Sequence, residues 1–526
     1  MNLEAFLHHL HVKTDKARPP DWEVDWADAP LAYKLYRGLP AVPLSPEVPL
    51  TLEGRDSPAT PGLREIGHFL WYVYGLTQWY ESVFASDAPE PETGTMQMCR
   101  RFVPSGGALY PNELYVYLNV EDAPAGVYHY DAARHRLVLL REGRFDSYLA
   151  RALGNRCDVS ACFGAVFVSV MFWKNYFKYH NFAYRLQGLD TGALLGQLLE
   201  VAKRFGFAAG VCFQFLDRAV NHLLGLSERE ESVYAVIPMS AEPANAWFAD
   251  RNDETGTIQA DELCRELTAV RHDHYVRSRK VAPYPMLIRM NEASMLASTQ
   301  SFRRLRGEHR VVEEGRAVAL PGVKRLPYDL AAACRRRYSP EADFVLGEVG
   351  QLQLAALLHE AAASFWYRND LDEAQELPGG RVSVYGCLYG ITGIPDGAYR
   401  YDSESHALRE IRPGDHRLRL QQAMSLHNVN LFQVPICLHV AGDQDHLTTA
   451  LGYRGYRIQQ MEAGMLVQRL LLAASAIGMG GHPLLGFDVE SCDEIYKLAP
   501  QGKTSLIQIP TGPYRPRPRL KGSLRG

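Results

Sequence analysis

The sequence lacks any paired-cysteine motif. Its nine cysteines are scattered through 526 residues, and no two of them stand in a C-x-x-C arrangement. An odd and unpatterned set of this kind argues against a disulfide framework and against a zinc site, and it favours a reducing compartment. We therefore expect neither structural disulfides nor a bound metal.

Long hydrophobic runs and a strong charge of one sign are also missing. The longest apolar runs, near 162–173 and 470–479, have about ten to twelve residues, whereas a membrane-spanning helix needs roughly 18 or more. The N-terminal segment contains Glu4 and no long apolar core, so it does not resemble a secretory signal. The formal net charge of −4 gives no support for nucleic-acid binding. Together these absences predict a cytoplasmic protein that binds neither nucleic acid nor a membrane.

One unit occurs twice in the chain. The segments YRLQGLDTGALLGQLLEVAKRFG at 184–206 and YRIQQMEAGMLVQRLLLAASAIG at 456–478 share nine of 23 positions without a gap, where average composition would give roughly one or two. A second pair, GVYHYDAARHRLVLLREG at 126–143 and GAYRYDSESHALREIRPG at 397–414, lies at nearly the same offset. A repeat of this length indicates a duplicated domain rather than a solenoid.

Both copies predict the same order of elements. A helix comes first, over 63–79 and 346–366, and is followed by a strand pair, a β-branched strand, a long helix of period 3.6 and a closing strand. This alternation indicates an α+β fold in which helices cover a sheet. We predict an N-terminal domain over residues 1–245 and a C-terminal domain over residues 325–526. Between them, residues 246–324 form a charged connector with some helix.

Four local motifs stand out, and each has an ordinary explanation when taken alone. PSGGALYP at 104–111 is either a plain turn or a main-chain loop held close to a flat or anionic group. KNYFKYHNFAYR at 174–185 is typical of a solvated basic helix start. GMGGHPLLGFD at 478–488 places glycines where they commonly cap a helix, although Gly486 is not explained that way. CRRRYSPEADF at 334–344 is a basic cluster of the kind found on surfaces.

Taken together, the motifs resemble those of the nitroreductase-like flavin oxidoreductases. The closest branch is the SagB-type dehydrogenases, which oxidise thiazolines and oxazolines in modified peptides. Members of the wider family open with R-x-S-x-R, continue with a P-S-x-G loop, end a helix in G-x-x-x-x-P-x-x-G-F-D and carry a basic tail. The resemblance covers most of residues 60–240 and 330–520. It implies two tandem nitroreductase-like α/β sandwich domains that form an internal pseudo-dimer, with FMN as the cofactor.

The resemblance also implies roles for particular residues. Arg337 and Ser339 match the first two places of R-x-S-x-R, while Glu341 departs from the pattern at the third. Lys178 and Tyr179 match the catalytic Lys–Tyr pair of the azoline branch. The other positions that match cofactor contacts of the family are Pro104, Ser105, Gly106 and Gly107 along the flavin ring, Leu485 and Gly486 facing flavin N5, and Arg515 and Arg517 near the phosphate.

The two copies have lost opposite halves of this site. Copy one keeps the P-S-G-G loop and the Lys178–Tyr179 pair, but its helix end reads GFAAGVCFQFLD and no basic tail follows. Copy two keeps the G-F-D loop and the arginine tail, but has Ala450 and Leu451 where the Lys–Tyr pair aligns. Since two subunits of the family build each flavin site between them, the sequence predicts one composite FMN site per chain.

The function implied by the resemblance is that of an FMN-dependent azoline dehydrogenase that makes thiazole or oxazole rings in a peptide natural product. Lys178 would remove a proton with help from Tyr179, because desolvation lowers a lysine pKa towards neutrality. Flavin N5 would take a hydride, and O₂ would reoxidise the flavin. A modified peptide would be the substrate, and a cyclodehydratase or a carrier protein a partner. Two alternatives stay open: an NAD(P)H-dependent reductase of nitro, quinone or alkene substrates, and a flavin-free scaffold that binds a precursor peptide.

Overall fold

The computed structural model describes residues 1–54, 60–85, 93–243, 247–248, 256–305, 315–372, 381–515 and 520–523. The α-helices of this part of the chain are α1 Leu3–His11, α2 Leu63–Tyr74, α3 Asp146–Ala152, α4 Trp173–Tyr179, α5 Ala183–Arg204, α6 Asp217–Leu224, α7 Ala260–Glu266, α8 Pro285–Ser294, α9 Leu330–Arg336, α10 Gln351–Phe365, α11 Arg417–Ala423, α12 Thr448–Leu451, α13 Tyr453–Ala476 and α14 Val489–Tyr496. The strands are β1 Ala41–Pro43, β2 Gln78–Ala85, β3 Thr93–Arg100, β4 Asn112–Leu118, β5 Gly126–Asp131, β6 Arg136–Glu142, β7 Gly164–Met171, β8 Ala208–Val211, β9 Glu231–Ser240, β10 Ala317–Ala319, β11 Arg368–Asn369, β12 Ser383–Leu388, β13 Gly397–Asp402, β14 Ala407–Pro413, β15 Ile436–Asp443, β16 Gly480–Gly481, β17 Lys503–Gly512 and β18 Leu520–Ser523.

Two large sheets repeat one strand order. The first runs β1-β6-β5-β4-β7-β9-β8-β11 and the second runs β10-β14-β13-β12-β15-β17-β16. Each strand of the second sheet corresponds, place by place, to a strand of the first. The sequence repeat is therefore a repeat of structure, and the predicted α+β class is confirmed.

The long helices α5 and α13 pack against each other and join the two halves. Every residue from 183 to 202 of α5 and from 454 to 475 of α13 is buried. Glycine permits the close approach: a Cβ on Gly192 would lie 1.9 Å from the carbonyl oxygen of Met461, and a Cβ on Gly464 would lie 2.1 Å from that of Leu189. Gly192 and Gly464 occupy the same place in the repeat. The helix pair is therefore related by the same symmetry as the sheets.

Segments of the C-terminal half also extend the N-terminal half. Strand β11 pairs in parallel with β8 at the edge of the first sheet. Strand β18, from the end of the chain, pairs antiparallel with β2 in a three-stranded sheet that β3 completes. Both halves are thus interlocked by main-chain hydrogen bonds as well as by the central helices.

Some boundaries differ from the predicted ones. The sequence pattern predicts a helix over 63–79, but α2 ends at Tyr74 because Gly75 takes an extended conformation. A helix is predicted over 346–366, but α10 begins at Gln351, since the main-chain N–H of Gly350 is capped by a side chain within the first turn. The predicted connector contains α7, α8 and β10, and its limits stay a prediction. No helix in the described part of the chain has the length and apolar character needed to cross a membrane.

Candidate active site

The P-S-G-G loop is held against α5 by Asp190. Ser105 Oγ donates a hydrogen bond to Asp190 Oδ2 at 2.6 Å, and the main-chain N–H of Gly106 donates to Oδ1 at 3.0 Å. The N–H of Tyr110 in turn donates to Ser105 Oγ at 2.9 Å. Gly107 has φ +63°, in the left-handed region that glycine adopts without strain. One buried carboxylate therefore sets the path of the loop.

The same loop contacts the Lys178–Tyr179 pair, which lies at the end of α4. A Cβ on Gly107 would lie 2.6 Å from Tyr179 Oη and 2.9 Å from Lys178 Nζ. Only glycine leaves room for both side chains at this position. Both are half-buried, and neither makes a side-chain hydrogen bond to another described residue. The fold thus brings together two motifs that the sequence analysis singled out separately.

Burial shifts the pKa values of Lys178 and Tyr179 in opposite directions. Loss of solvent lowers the pKa of Lys178, and the nearby carboxylate of Glu341 opposes that shift. Loss of solvent also raises the pKa of Tyr179, to which the negative charge of Asp190 adds. Near neutral pH the tyrosine therefore stays protonated and can donate a hydrogen bond. The lysine is the member of the pair suited to accept a proton from a substrate.

The segment that opens copy two lies beside this loop. Arg337 Nε donates a hydrogen bond to the carbonyl of Phe102 at 3.2 Å, two residues before the P-S-G-G loop. Pro340 packs against Gly480, where an added Cβ would lie 2.4 Å from Pro340 Cγ. Ser339 lies half-buried between them. The R-x-S segment of the C-terminal half therefore contacts the helix end of its own half and the residue Phe102 that precedes the loop of the N-terminal half.

The helix-end loop of copy two shares an apolar cluster with α5. Leu485 is buried in the cluster that includes Leu186 and Leu189, and the ring of Tyr179 packs against it. The carbonyl of Gly486 accepts a hydrogen bond from the N–H of Ser425 at 2.8 Å. Leu485 therefore belongs to the same apolar cluster against which Tyr179 packs.

The basic tail is placed only in part. Arg515 donates its main-chain N–H to the carbonyl of Asp343 at 3.0 Å, and its side chain is exposed. Arg517 lies outside the described residues. Cofactor binding by the whole predicted set stays a prediction.

Two residues of this site were missed by the sequence analysis. Asp190 is a carboxylate in the first half of α5, and copy two has Glu462 at the matching place. That pattern was available as a signal. Arg100 donates from Nη2 to the carbonyl of Arg337 and lies half-buried. It comes just before the P-S-G-G loop in the sequence, but nothing there indicates that it meets a residue 237 positions away.

The helix end of copy one, which matches the helix-end loop of copy two, is hydrogen-bonded to charged side chains of the C-terminal half. There, Asp370 accepts hydrogen bonds from the N–H groups of Phe213 and Gln214 at 2.8 and 3.0 Å. These two positions align with the helix-end loop of copy two. Arg454 Nε donates to the carbonyl of Phe213 at 2.6 Å, and Arg454 Nη1 pairs with Asp217 at 2.7 Å. The main-chain groups of Phe213 and Gln214 are therefore bonded to side chains.

The counterpart of Asp190 also has another use. Glu462 accepts hydrogen bonds from Arg381 Nε at 2.9 Å and from Tyr367 Oη at 2.5 Å. It holds these side chains rather than a P-S-G-G loop. Glu462 therefore has different hydrogen-bond partners from its counterpart Asp190.

The buried carboxyl of Asp190 should make stability depend on pH. Burial raises its pKa to about 6, against opposing hydrogen bonds from Ser105 and Gly106, while the unfolded value is about 3.9. The folded state thus binds this proton more tightly than the unfolded state does. The protein's free energy of unfolding therefore falls as pH rises from about 4 through 6. Relative to Asp190→Asn, the parent should lose up to about 3 kcal/mol across this range. Urea unfolding of both proteins at several pH values tests this, and parallel pH profiles would contradict it.

Comparison with known proteins gives a family match. Residues 83–239 and 391–512, more than half of the chain, match the nitroreductase family. The chain is 27% identical to a nitroreductase-like protein of Methanocaldococcus jannaschii, over 25% of this chain and 64% of that protein. It is 28% identical to the microcin B17-processing protein McbC of Escherichia coli, over 33% and 62%. It is 32% identical to the trifolitoxin-processing protein TfxB of Rhizobium leguminosarum, over 27% and 40%. The matches span less than two thirds of the length of each of these relatives.

A solved structure has the same fold over the whole chain. The crystal structure of a nitroreductase-like protein from Anabaena variabilis matches 98% of this chain and 99% of its own, with a TM-score of 0.71 and 20% sequence identity. At that identity the likeness concerns the fold alone. The tandem arrangement of two sheets and two central helices is therefore shared with another protein.

Proposed function

The chain belongs to the nitroreductase family, and from that premise we propose that it is an FMN-dependent dehydrogenase that oxidises azoline rings to azoles in a peptide natural product. Two relatives are named for processing peptides, microcin B17 and trifolitoxin, which supports a modified peptide as the substrate. A cyclodehydratase that forms the azoline is the partner class we propose, since its product is the compound to be oxidised.

The contact of Gly107 with Lys178 and Tyr179 carries the proposal. This contact brings the glycines of the P-S-G-G loop next to a lysine whose pKa is lowered by burial. A reductase that only passes a hydride between two carriers needs no added base. Removing hydrogen from an azoline does need one, because a proton leaves one ring atom as a hydride leaves its neighbour.

The residues present fit FMN at both of its ends. The loop offers two adjacent glycines, Gly106 and Gly107, beside which a flat ring can lie in contact with the main chain. At the other end, Arg337 is a buried guanidinium with no carboxylate partner among the described residues. Guanidinium groups bind phosphate in a bidentate manner. FMN, when bound, would supply the hydride acceptor, and O₂ would restore its oxidised form.

The protein would supply a base, a donor and a dry environment. Lys178 Nζ would take the proton from the azoline carbon, since desolvation lowers the lysine pKa and makes the neutral amine more accessible. Tyr179 stays protonated and would donate a hydrogen bond to the substrate ring. The apolar cluster around Leu186 and Leu485 would exclude water from the reacting atoms.

The direct experiment is oxidation of a synthetic peptide that carries one thiazoline. Purified protein, loaded with FMN in air, should remove two hydrogens from each ring, as measured by mass spectrometry. An unchanged peptide, together with anaerobic bleaching of the flavin by NADH, would instead establish the nitro, quinone or alkene reductase. A colourless protein that takes up no flavin would favour the scaffold alternative.

We also expect one FMN per chain rather than two. Asp370 and Arg454 occupy the main-chain groups of the second interface, whereas the first interface keeps the glycine loop. Flavin released by denaturation should therefore equal the protein on a molar basis. A ratio of two would contradict the composite-site hypothesis.

A further inference from the structure

We propose that Arg100 of the N-terminal half binds the terminal phosphate of the cofactor together with Arg337 of the C-terminal half. The phosphate would then connect the two halves of the chain, and the site would select FMN over riboflavin. This inference rests on the proposed function, because it deepens the description of the same site.

Arg100 is fixed at the end of β3 by its main chain. Its carbonyl accepts hydrogen bonds from the N–H of Thr77 at 2.9 Å and from Thr77 Oγ1 at 3.0 Å. From the side chain, Nη2 donates to the carbonyl of Arg337, and Nη1 lies 3.5 Å from Gln78 Oε1. The guanidinium therefore reaches from one half of the chain to the other in a defined position.

The two guanidiniums lie close together without a neutralising charge. Neither Arg100 nor Arg337 forms an ion pair with a carboxylate in the part of the chain that the structure describes. Burial, followed by the positive charge of Arg100, lowers the pKa of Arg337 to about 10. Burial lowers the pKa of Arg100 as well. A buried and a half-buried guanidinium repel each other unless an anion joins them, so this arrangement suits a phosphate.

Neighbouring groups leave the charge uncompensated. The rings of Tyr338 and Tyr514 stack at a centroid distance of 5.0 Å, and both flank the Arg100–Arg337 region from the C-terminal half. Tyrosine at its ordinary pKa is neutral near pH 7. Tyr338 Oη donates to Asp343 Oδ2 at 2.6 Å, so the nearest described carboxylate in this segment is bonded to a phenol.

The neighbouring arginine has a different environment. Arg101 is fully buried, and its guanidinium donates to the carbonyls of Tyr74 and Ala32 and lies 3.9 Å from the ring centre of Tyr74. Its Nη1 and Nη2 groups are thus used within the fold. Arg100, in contrast, is half-buried, and its guanidinium reaches the main chain of a second arginine, Arg337.

The chain end passes the same place. In the three-stranded sheet, Ser523 of β18 pairs with Gln78 of β2, and Gln78 pairs with Arg100 of β3. Strand β18 of the C-terminal half therefore lies in the same sheet as Arg100.

The test compares two flavins that differ only in the phosphate. Flavin-free protein is titrated with FMN and with riboflavin, and binding is followed by quenching of flavin fluorescence. Arg100→Ala should weaken FMN binding roughly tenfold or more, because a charge-assisted hydrogen bond is lost, and should leave riboflavin binding unchanged. Arg100→Lys, which keeps the charge, should recover part of the FMN affinity. Arg136→Ala is the matched control, since Arg136 is half-buried in the same half but paired with Asp131 at 2.9 Å.

Equal weakening of both flavins would overturn the inference and assign Arg100 a structural role. FMN binding that is unaffected in Arg100→Ala would overturn it while leaving the proposed cofactor intact. A parent protein that binds neither flavin would overturn the inference and the proposed function together. If Arg100→Ala does not fold, Arg100→Gln, which can still donate to the carbonyl of Arg337, takes its place with the same expectations.

Discussion

Lys178→Ala should keep its flavin and lose turnover by roughly 10²–10⁴-fold, the usual contribution of a general base. Lys178 Nζ lies against Gly107 and Tyr179, whereas the proposed phosphate ligands are arginines. The cofactor should therefore remain bound while the proton loses its acceptor. Absorbance of the purified variant and kcat on a thiazoline peptide measure the two effects separately.

The pH profile adds a second readout for Lys178. A base works when deprotonated, so kcat of the parent should rise with pH through the lysine pKa, which burial places below the ordinary value of 10.5. The pH profile of Lys178→Ala should lack this rise in kcat. Lys178→Met, with a side chain of similar size, controls for lost packing and should be equally inactive.

Turnover near the parental rate in Lys178→Ala would exclude it as the base. The other candidates in its segment are placed less well. Lys174 Nζ is paired with Glu113 and donates to the carbonyl of Tyr110 at 3.2 Å. Tyr176 Oη donates to the carbonyl of Pro283 at 3.3 Å. Neither side chain is available to the P-S-G-G loop in the way that Lys178 is.

Removing two arginines of the C-terminal half that we propose to bind the phosphate should weaken FMN binding by about 10²-fold or more. The variant is Arg337→Ala with Arg517→Ala, the first from the buried segment beside the loop and the second from the basic tail of the sequence. Charge-assisted hydrogen bonds contribute roughly 1.5–3 kcal/mol each, and about 1.4 kcal/mol corresponds to a factor of ten. The double variant should purify pale and regain activity at high added FMN.

The control for this variant is Arg218→Ala in the N-terminal half. Arg218 is exposed and lies 3.8 Å from Asp261, on the degenerate helix end of copy one. Its replacement should leave the FMN content unchanged. If Arg218→Ala loses flavin while the double variant stays yellow, the two halves of the site have been assigned in the wrong order.

The family and the duplication could be predicted from the sequence because both are carried by short, ordered patterns. The repeat around Gly192 and Gly464 is an identity at a fixed offset, and the same two glycines allow the central helices to touch. The nitroreductase family, predicted from the combination of four motifs, is confirmed. The ends of the helices were harder to predict from the sequence. Gly75 and Gly350 decide where α2 and α10 stop and start, and a continuous apolar pattern hides such local breaks.

Contacts between residues far apart in the sequence are what the sequence alone did not determine. Residue type and order indicated that PSGG, Lys178 and Arg337 matter, since each belongs to a local motif. Only the tertiary structure decided that Gly107 meets the Lys–Tyr pair, that Asp190 holds the loop and that Arg100 reaches Arg337. The physical reason is that a local motif depends on neighbouring residues, whereas a composite site depends on how two packed halves bring distant side chains together. That packing depends on the central helices α5 and α13 and on strands β11 and β18, which pair with strands of the N-terminal half.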